Sequence, residues 1–521
     1  MMRFKLNSPA IPIGLGVILR LLNIKFILAG PVLKTLIIDS AFYHNRAMEI
    51  AGGDILGEGV FFMSPLYSYL MGLIYAVMGA YPVIIAIFQA LLSGVTLWLI
   101  WSLGKRIAGE SAGLIAVWLG AFYPAWIYFD GVMLTASLIL FLNTAGLWAL
   151  VRWFEGKHPG WLIMAGFALG LSALARPGIL LFIVVASVWL FIKRYHLAAA
   201  LLIIWALAAV SGAAIRNIVV SGEFALTTAS GGMNFYVGSN PKATGLYVEP
   251  DFLKSAEPDY ELEDYMNEAK RLSWKDLTAV ETSRFWYKMG LLYLIEHPLR
   301  AVELWWNKIF YFWNNLEAPN NVSIYLVKRY SPVVKYIPWG FGILASLGLI
   351  GLGTLPASPA KRLIWLYIVS LLVVNMLYFT SSEFRFPAVT LLLIGAGIGI
   401  GKIAGWVRDK WVDWRIIVLA VAMLFFTHYQ TTTAQKLTKP RMDYFNLGSV
   451  SLKQGDFNSA ERFFLLSLAE DANFIEGHMG LGTTLLEKGD YVRAAAEFNA
   501  AGYPVTPEFL QEQKALENRE P

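Results

Sequence analysis

The stretch PVIIAIFQALLSGVTLWLIWSLGKR, residues 82–106, decides how this chain is read. From Pro82 to Leu103 it holds no charged side chain, and it ends on Lys105 and Arg106. About 20 apolar residues are needed to cross roughly 30 Å of hydrocarbon, where only a helix satisfies its own backbone. The same ruler gives about eleven candidate spans, near 8–29, 82–103, 111–128, 132–151, 161–175, 178–192, 197–215, 337–355, 363–380, 387–401 and 416–430. The run 66–79 is too short to span and reads as a helix lying at the interface. The expected fold is an all-α polytopic membrane protein with large outer loops.

Composition agrees with that reading. The 521 residues are 57% hydrophobic and only 15% charged, with 19 Trp and no Cys; soluble domains carry about 25% charged residues. An ordinary cytosolic enzyme, a disordered chain and a disulfide-stapled secreted protein are excluded. So are thiol catalysis, Cys-ligated zinc and iron–sulfur chemistry. The net charge of +5 divides unevenly: 431–521 has 9 Lys+Arg against 13 Asp+Glu, leaving 33 against 24 for the rest. Membrane topology explains a basic body better than nucleic acid does, and no nucleic-acid partner is expected.

The links between spans alternate in character. Lys105/Arg106, Arg152/Lys157, Lys193/Arg194, Lys361/Arg362 and Lys402/Arg408/Lys410/Arg415 form one set, and Arg3 and Lys5 precede the first span. The positive-inside rule puts these in the cytoplasm. Residues 30–81, 129–131, the turn at Arg176, 216–336 and 381–386 then face outward. An odd number of spans puts the tail outside too. The expectation is a multi-pass plasma or inner-membrane protein whose active site and C-terminal domain are extracytoplasmic. With no cleavable signal pattern, the first span is expected to stay as an anchor. Phe285-Trp286-Tyr287 and the run Trp305, Trp306, Phe310, Tyr311, Phe312, Trp313 read either as headgroup-layer helices or as the core of an outer subdomain.

The tail repeats itself. Leu447-Gly448 recurs as Leu481-Gly482, Gly455-Asp456-Phe457 as Gly489-Asp490-Tyr491, Ala460 as Ala494 and Phe464 as Phe498, each 34 residues on. That is the tetratricopeptide period, with Gly-Asp ending one helix and capping the next. Two domains are expected: 1–430 in the membrane and 431–521 as a repeat domain. About three repeats are needed for stability, so a helix near 507–518 is expected to cap the stack and its other end to dock on the membrane body. The repeats either bind a protein partner or pack as an appendage.

Charges near the membrane are costly and tend to be functional. Asp39, Asp130, Arg176, Arg216 and the pair Glu383 and Arg385 occupy five outer turns, expected to converge on one cavity. Carboxylates beside guanidinium groups suit transfer of a sugar from a polyprenyl phosphate. Arg385, Arg176 and Arg216 would clamp the phosphate. Asp39 would either take the acceptor proton or ligate a divalent cation, Mg or Mn. Asp130 and Glu383 are further substrate or metal candidates. Each of these charges reads alternatively as a solvated or snorkelling helix end. Asn234, Tyr236 and Asn240, among Gly231-Gly232 and Gly238, offer sugar hydrogen bonds or form a plain turn cluster. Arg20 inside the first span either snorkels or faces the cavity. His44 and His297 lack metal-ligand spacing, and Asn321-Val322-Ser323 is a formal glycosylation acceptor.

Taken in order, these motifs resemble the glycosyltransferase C superfamily of lipid-carrier-dependent membrane enzymes. The nearest branch is protein-mannosyltransferase-like (family 39) and lipid A aminoarabinose-transferase-like. The resemblance is carried by Asp39 with Tyr43, Ala47 and Gly52-Gly53, then Ser64-Pro65-Leu66-Tyr67, Ala175-Arg176-Pro177 and Arg385-Phe386-Pro387. Arg216-Asn217, Thr227-Thr228 and the loop from Gly231 to Pro241 resemble members fused to tetratricopeptide repeats. The likeness implies Asp39 as base or metal-associated acid, Arg385 on the carrier phosphate, and inverting transfer by single displacement. Ser40 stands where many relatives have a second acid, and Ser239 where the loop often has Asn. The partners expected are a polyprenyl-phosphate sugar donor, membrane lipids and an acceptor that is a protein, lipid or glycan. A lipid-linked-sugar transporter or flippase and a non-catalytic scaffold are the competing readings. The chain lacks the internal symmetry of the first and has more spans than the second requires.

Overall fold

The computed structural model describes residues 8–253, 258–409 and 412–517; Arg3, Lys5, Lys410 and residue 518 lie outside them. Among the described residues the chain is helical, with one isolated parallel bridge between Leu246 and Thr380. Six helical runs are long and apolar enough to cross a membrane: Ala10–Leu28, Pro82–Ala108, Ala136–Gly156, His196–Ser221, Pro359–Leu377 and Ser382–Asp409. The bent pair Glu110–Ala121 and Pro124–Gly131 makes a seventh if counted as one span. Gly160–Ala175, Ile179–Ile192, Phe341–Gly353 and Trp414–His428 are apolar but shorter, rising only about 20–24 Å at 1.5 Å per residue. Among the described residues, length and composition thus give six spans, or seven with the bent pair counted as one, and the apolar runs 161–175, 178–192, 337–355 and 416–430 fall on the shorter helices. Pro65–Met78 buries Tyr67, Met71 and Tyr75 and exposes Leu73, Val77 and Met78. At 14 residues it is too short to span, and its outward face is apolar.

Small residues set the tightest helix contacts. A Cβ on Gly351 would stand 1.9 Å from the Gly395 carbonyl oxygen, so Phe341–Gly353 and Val389–Asp409 touch backbone to backbone. The bent span has a different cause. Pro124 has no N–H, and the helix turns by 54° at Phe122-Tyr123, leaving carbonyls without their helical donors. Arg20 supplies replacements, donating to Gly120 and Ala121 oxygens at 3.3 Å.

The region 216–336 divides its aromatics. Trp286 is buried among Tyr236, Phe252 and Tyr265, in a small core of its own. Leu299, Val302 and Trp306 instead face outward. In the tail, helices Arg441–Lys453 and Phe457–Glu470 are followed 34 residues later by Ile475–Glu487 and Tyr491–Ala500. Phe464 and Phe498 lie against Gly448 and Gly482. Asp456 and Asp490 cap the second helix of each pair. Helix Pro507–Glu517 packs on the last pair through Leu510. The first pair joins the main core through Tyr444, Leu447 and Phe463, so packing runs straight across position 430.

Candidate functional site

Ile38 has φ +51°, a left-handed conformation that a β-branched residue adopts only under strain. Asp39 follows it at the start of helix Ile38–Ala51. Its backbone N–H donates to Asn321 Oδ1 at 3.1 Å, and Asn321 Nδ2 donates to its Oδ2 at 2.9 Å. Burial first, then repulsion from Glu383, push the Asp39 carboxyl up to about 7, against the opposing pull of Asn321 and Arg176. Glu261 is pushed up to about 8 by burial and then by Asp39 and Glu249.

Arg176 is extended, as the following Pro177 demands. Its Nη2 donates to Glu383 Oε1 at 2.5 Å and to Thr135 Oγ1 at 3.3 Å, and its plane lies 4.2 Å over Phe384. Its Nη1 is buried with no hydrogen-bond partner. A small cavity is lined by Phe129, Glu317, Asn320, Asn321 and Glu383, and so touches the partners of Arg176 and Asp39. Asp39, Glu383 and Arg176 are therefore brought together. Glu383 and Arg408 lie near opposite ends of the run Ser382–Asp409, and Arg176 follows the C-terminal end of Gly160–Ala175.

The other candidates are placed elsewhere. Arg385, only 2% exposed, donates to the carbonyls of Tyr311, Phe312, Asn314 and Leu316 and to Glu317 Oε2. Both its terminal nitrogens are hydrogen-bonded to residues 311–317, so in this structure the guanidinium expected as a phosphate clamp anchors that segment. Arg216 donates to the carbonyls of Leu56, Glu58 and Gly59 and stacks on Phe61; here it fastens the loop 52–64, away from the Asp39 group expected to share its phosphate. Asp130 is fully buried against Arg20 at 2.5 Å and accepts from Ser93 and Ser137. It is the counter-ion of Arg20, neither group lines the cavity, and Arg20, buried, does not snorkel. Asn240 binds the carbonyls of Tyr236 and Val237 and caps Lys242 N, the turn-cluster reading. The Tyr236 ring packs 4.5 Å from Trp286, and Asn234 Nδ2 binds the Ser230 carbonyl. Asn321 is buried on Asp39, where no glycan fits.

Glu261, Glu249 and Thr135 escaped the sequence reading, and Asn321 entered it only as a formal glycosylation acceptor. They lie far from Asp39 along the chain, and only folding brings them to Asp39 or its neighbours. Ser40 donates to the Met133 carbonyl, and Glu261 is the second acid whose charge is felt with that of Asp39. Among the described residues no group of three or more His, Cys, Asp or Glu is arranged for a metal ion. One oxygen each of Asp39 and Glu383 is already taken by Asn321 and Arg176. The residues present do not assemble the ligand set expected for a divalent cation.

Residues 63–216 match the family model for dolichyl-phosphate-mannose-protein mannosyltransferase. No curated protein matches the sequence. Among solved structures, the Archaeoglobus fulgidus oligosaccharyltransferase in the apo form aligns with TM-score 0.45 at 11% identity over 88% of this chain and 60% of that one. ArnT from Cupriavidus metallidurans in the apo state aligns with TM-score 0.42 at 13% identity, over 93% and 79%. ArnT bound to undecaprenyl phosphate gives 0.41 at 13% identity, over 93% and 80%. Over residues 63–216, which run from the turn before Pro65 to Arg216, this chain is similar to the dolichyl-phosphate-mannose-protein mannosyltransferase family.

Proposed function

We propose that this protein is an integral membrane glycosyltransferase. It moves a sugar from a polyprenyl-phosphate donor to an acceptor on the extracytoplasmic side. The observation that carries the reading is the meeting of Asp39, poised near neutral pH, with the unpaired Nη1 of Arg176. A general base works best with a pKa near the working pH. Asp39 takes the proton from the acceptor nucleophile as that atom bonds to the anomeric carbon. The bond from that carbon to the phosphate oxygen breaks, and the electron pair leaves with the polyprenyl phosphate. Arg176 meets the charge that develops there. A single displacement of this kind inverts the anomeric centre. The short basic links support the outward placement of the site, and the repeats are proposed to be tetratricopeptide units.

Purified protein in vesicles, given a labelled polyprenyl-phosphate sugar and an extract of cell-envelope acceptors, should release free polyprenyl phosphate. Asp39→Asn should abolish release while insertion is unchanged. Turnover retained in that variant would remove Asp39 from the chemistry. Arg176→Ala should raise the donor KM more than the acceptor KM, and the reverse result would reject its phosphate role.

A further inference from the structure

We propose that the repeat helices form part of the Asp39 site, with Asp443 as a positioning residue that holds the segment from which Asn321 orients Asp39. Residues 314–323 have no regular secondary structure, so their polar backbone groups need partners from elsewhere. Those partners come from separate elements. Arg385 takes the Leu316 carbonyl, Ser382 N–H donates to Ala318 O at 3.0 Å, and Tyr128 hydroxyl donates to Val322 O. The next anchor comes from the tail. Asp443, 5% exposed, accepts from Ser323 N at 2.6 Å and Ser323 Oγ at 2.5 Å. Ser323 in turn caps helix Ile324–Tyr330.

Asn321 stands two residues before that grip and makes the reciprocal pair with Asp39. A buried carboxylate is costly unless its hydrogen bonds are made, so the grip of Asp443 on Ser323 acts as a unit. Further contacts keep the tail on this segment. Ala434 packs with Leu316 and Ala318, and Arg329 pairs with Glu470 at 2.6 Å. A ligand of the repeats that displaces helix Arg441–Lys453 would thus act on Asp39 without touching it. The charged and titratable groups that act on Asp39, or it on them, are Glu383, Arg176, Glu261, Tyr43 and Tyr247.

The catalytic consequence rests on the proposed glycosyl transfer, whereas the positioning is read without it. Hydrogen–deuterium exchange on the full-length protein would compare wild type, Asp443→Ala, Asp443→Asn and Ser323→Ala with Asp443→Ala. Amides of 316–327 and of 37–43 should exchange roughly tenfold faster in Asp443→Ala. Asp443→Asn, which keeps one acceptor oxygen, should fall between. The double variant should add little to the Asp443→Ala effect. Where transfer is measured, Asp443→Ala should also lower its rate and move its acid limb to higher pH. Unchanged exchange in both segments, or faster exchange confined to 324–327, would overturn the proposal. If wild type transfers no sugar, the exchange result still decides it.

Discussion

At the scale of single residues, Asp39 is held between opposing influences, and each gives a measurable sign. Transfer should fall as pH drops through about 7, because protonation removes the base. Glu383→Gln removes the repelling charge yet keeps an oxygen for Arg176, so the acid limb should move to lower pH. Asn321→Ala removes a bond to the ionised form and should move it higher. Rate profiles of the three proteins check both shifts. A raised carboxyl binds its proton more tightly in the folded chain than in the unfolded one, whose Asp titrates near 4. Its effect on stability is therefore most favourable at low pH and is lost as pH rises through about 7. Asp39→Asn should accordingly have a higher unfolding temperature than wild type at pH 8 and lose that advantage at pH 4. Asp39 was legible from its place in the first outer loop. Its neighbours were not, since Asn321 lies 282 residues away and no local pattern marks it.

At the scale of elements, the bent span shows why a charge near a helix end misleads. Arg20 and Asp130 could each have faced water or substrate on sequence grounds. Folding pairs them across 110 residues and uses the guanidinium to satisfy carbonyls released by Pro124. Removing one partner of a buried pair costs about 3–5 kcal/mol, because the other charge is left uncompensated. Arg20→Ala or Asp130→Ala should therefore sharply lower the unfolding temperature in detergent. Protein that survives should keep its transfer rate per molecule. A rate loss without a stability loss would return Asp130 to the site.

At the scale of the whole molecule, sidedness can be tested because the chain has no cysteine. Cysteine placed at Trp274, which is 92% exposed, should react in intact cells with a membrane-impermeant maleimide. Cysteine at Lys193, in a basic link, should react only after permeabilisation. The opposite pattern would invert the topology and put Asp39 in the cytoplasm. The 34-residue period was legible for a simple reason: each repeat places Gly opposite Phe and caps with Gly-Asp, both local rules. That the repeats pack on the Asp39 segment was not legible beyond the expectation of docking.

The sequence by itself determined the helices, their apolar faces, the asymmetry of basic links and the 34-residue repeat. All of these follow from composition and from spacing along the chain. Only the tertiary structure decided which charges meet. Asp39, Glu383 and Arg176 share a site while Asp130, Arg216 and Arg385 serve as struts. The physical reason is that a buried charge must be neutralised or hydrogen-bonded, and its partner is chosen by packing across hundreds of residues.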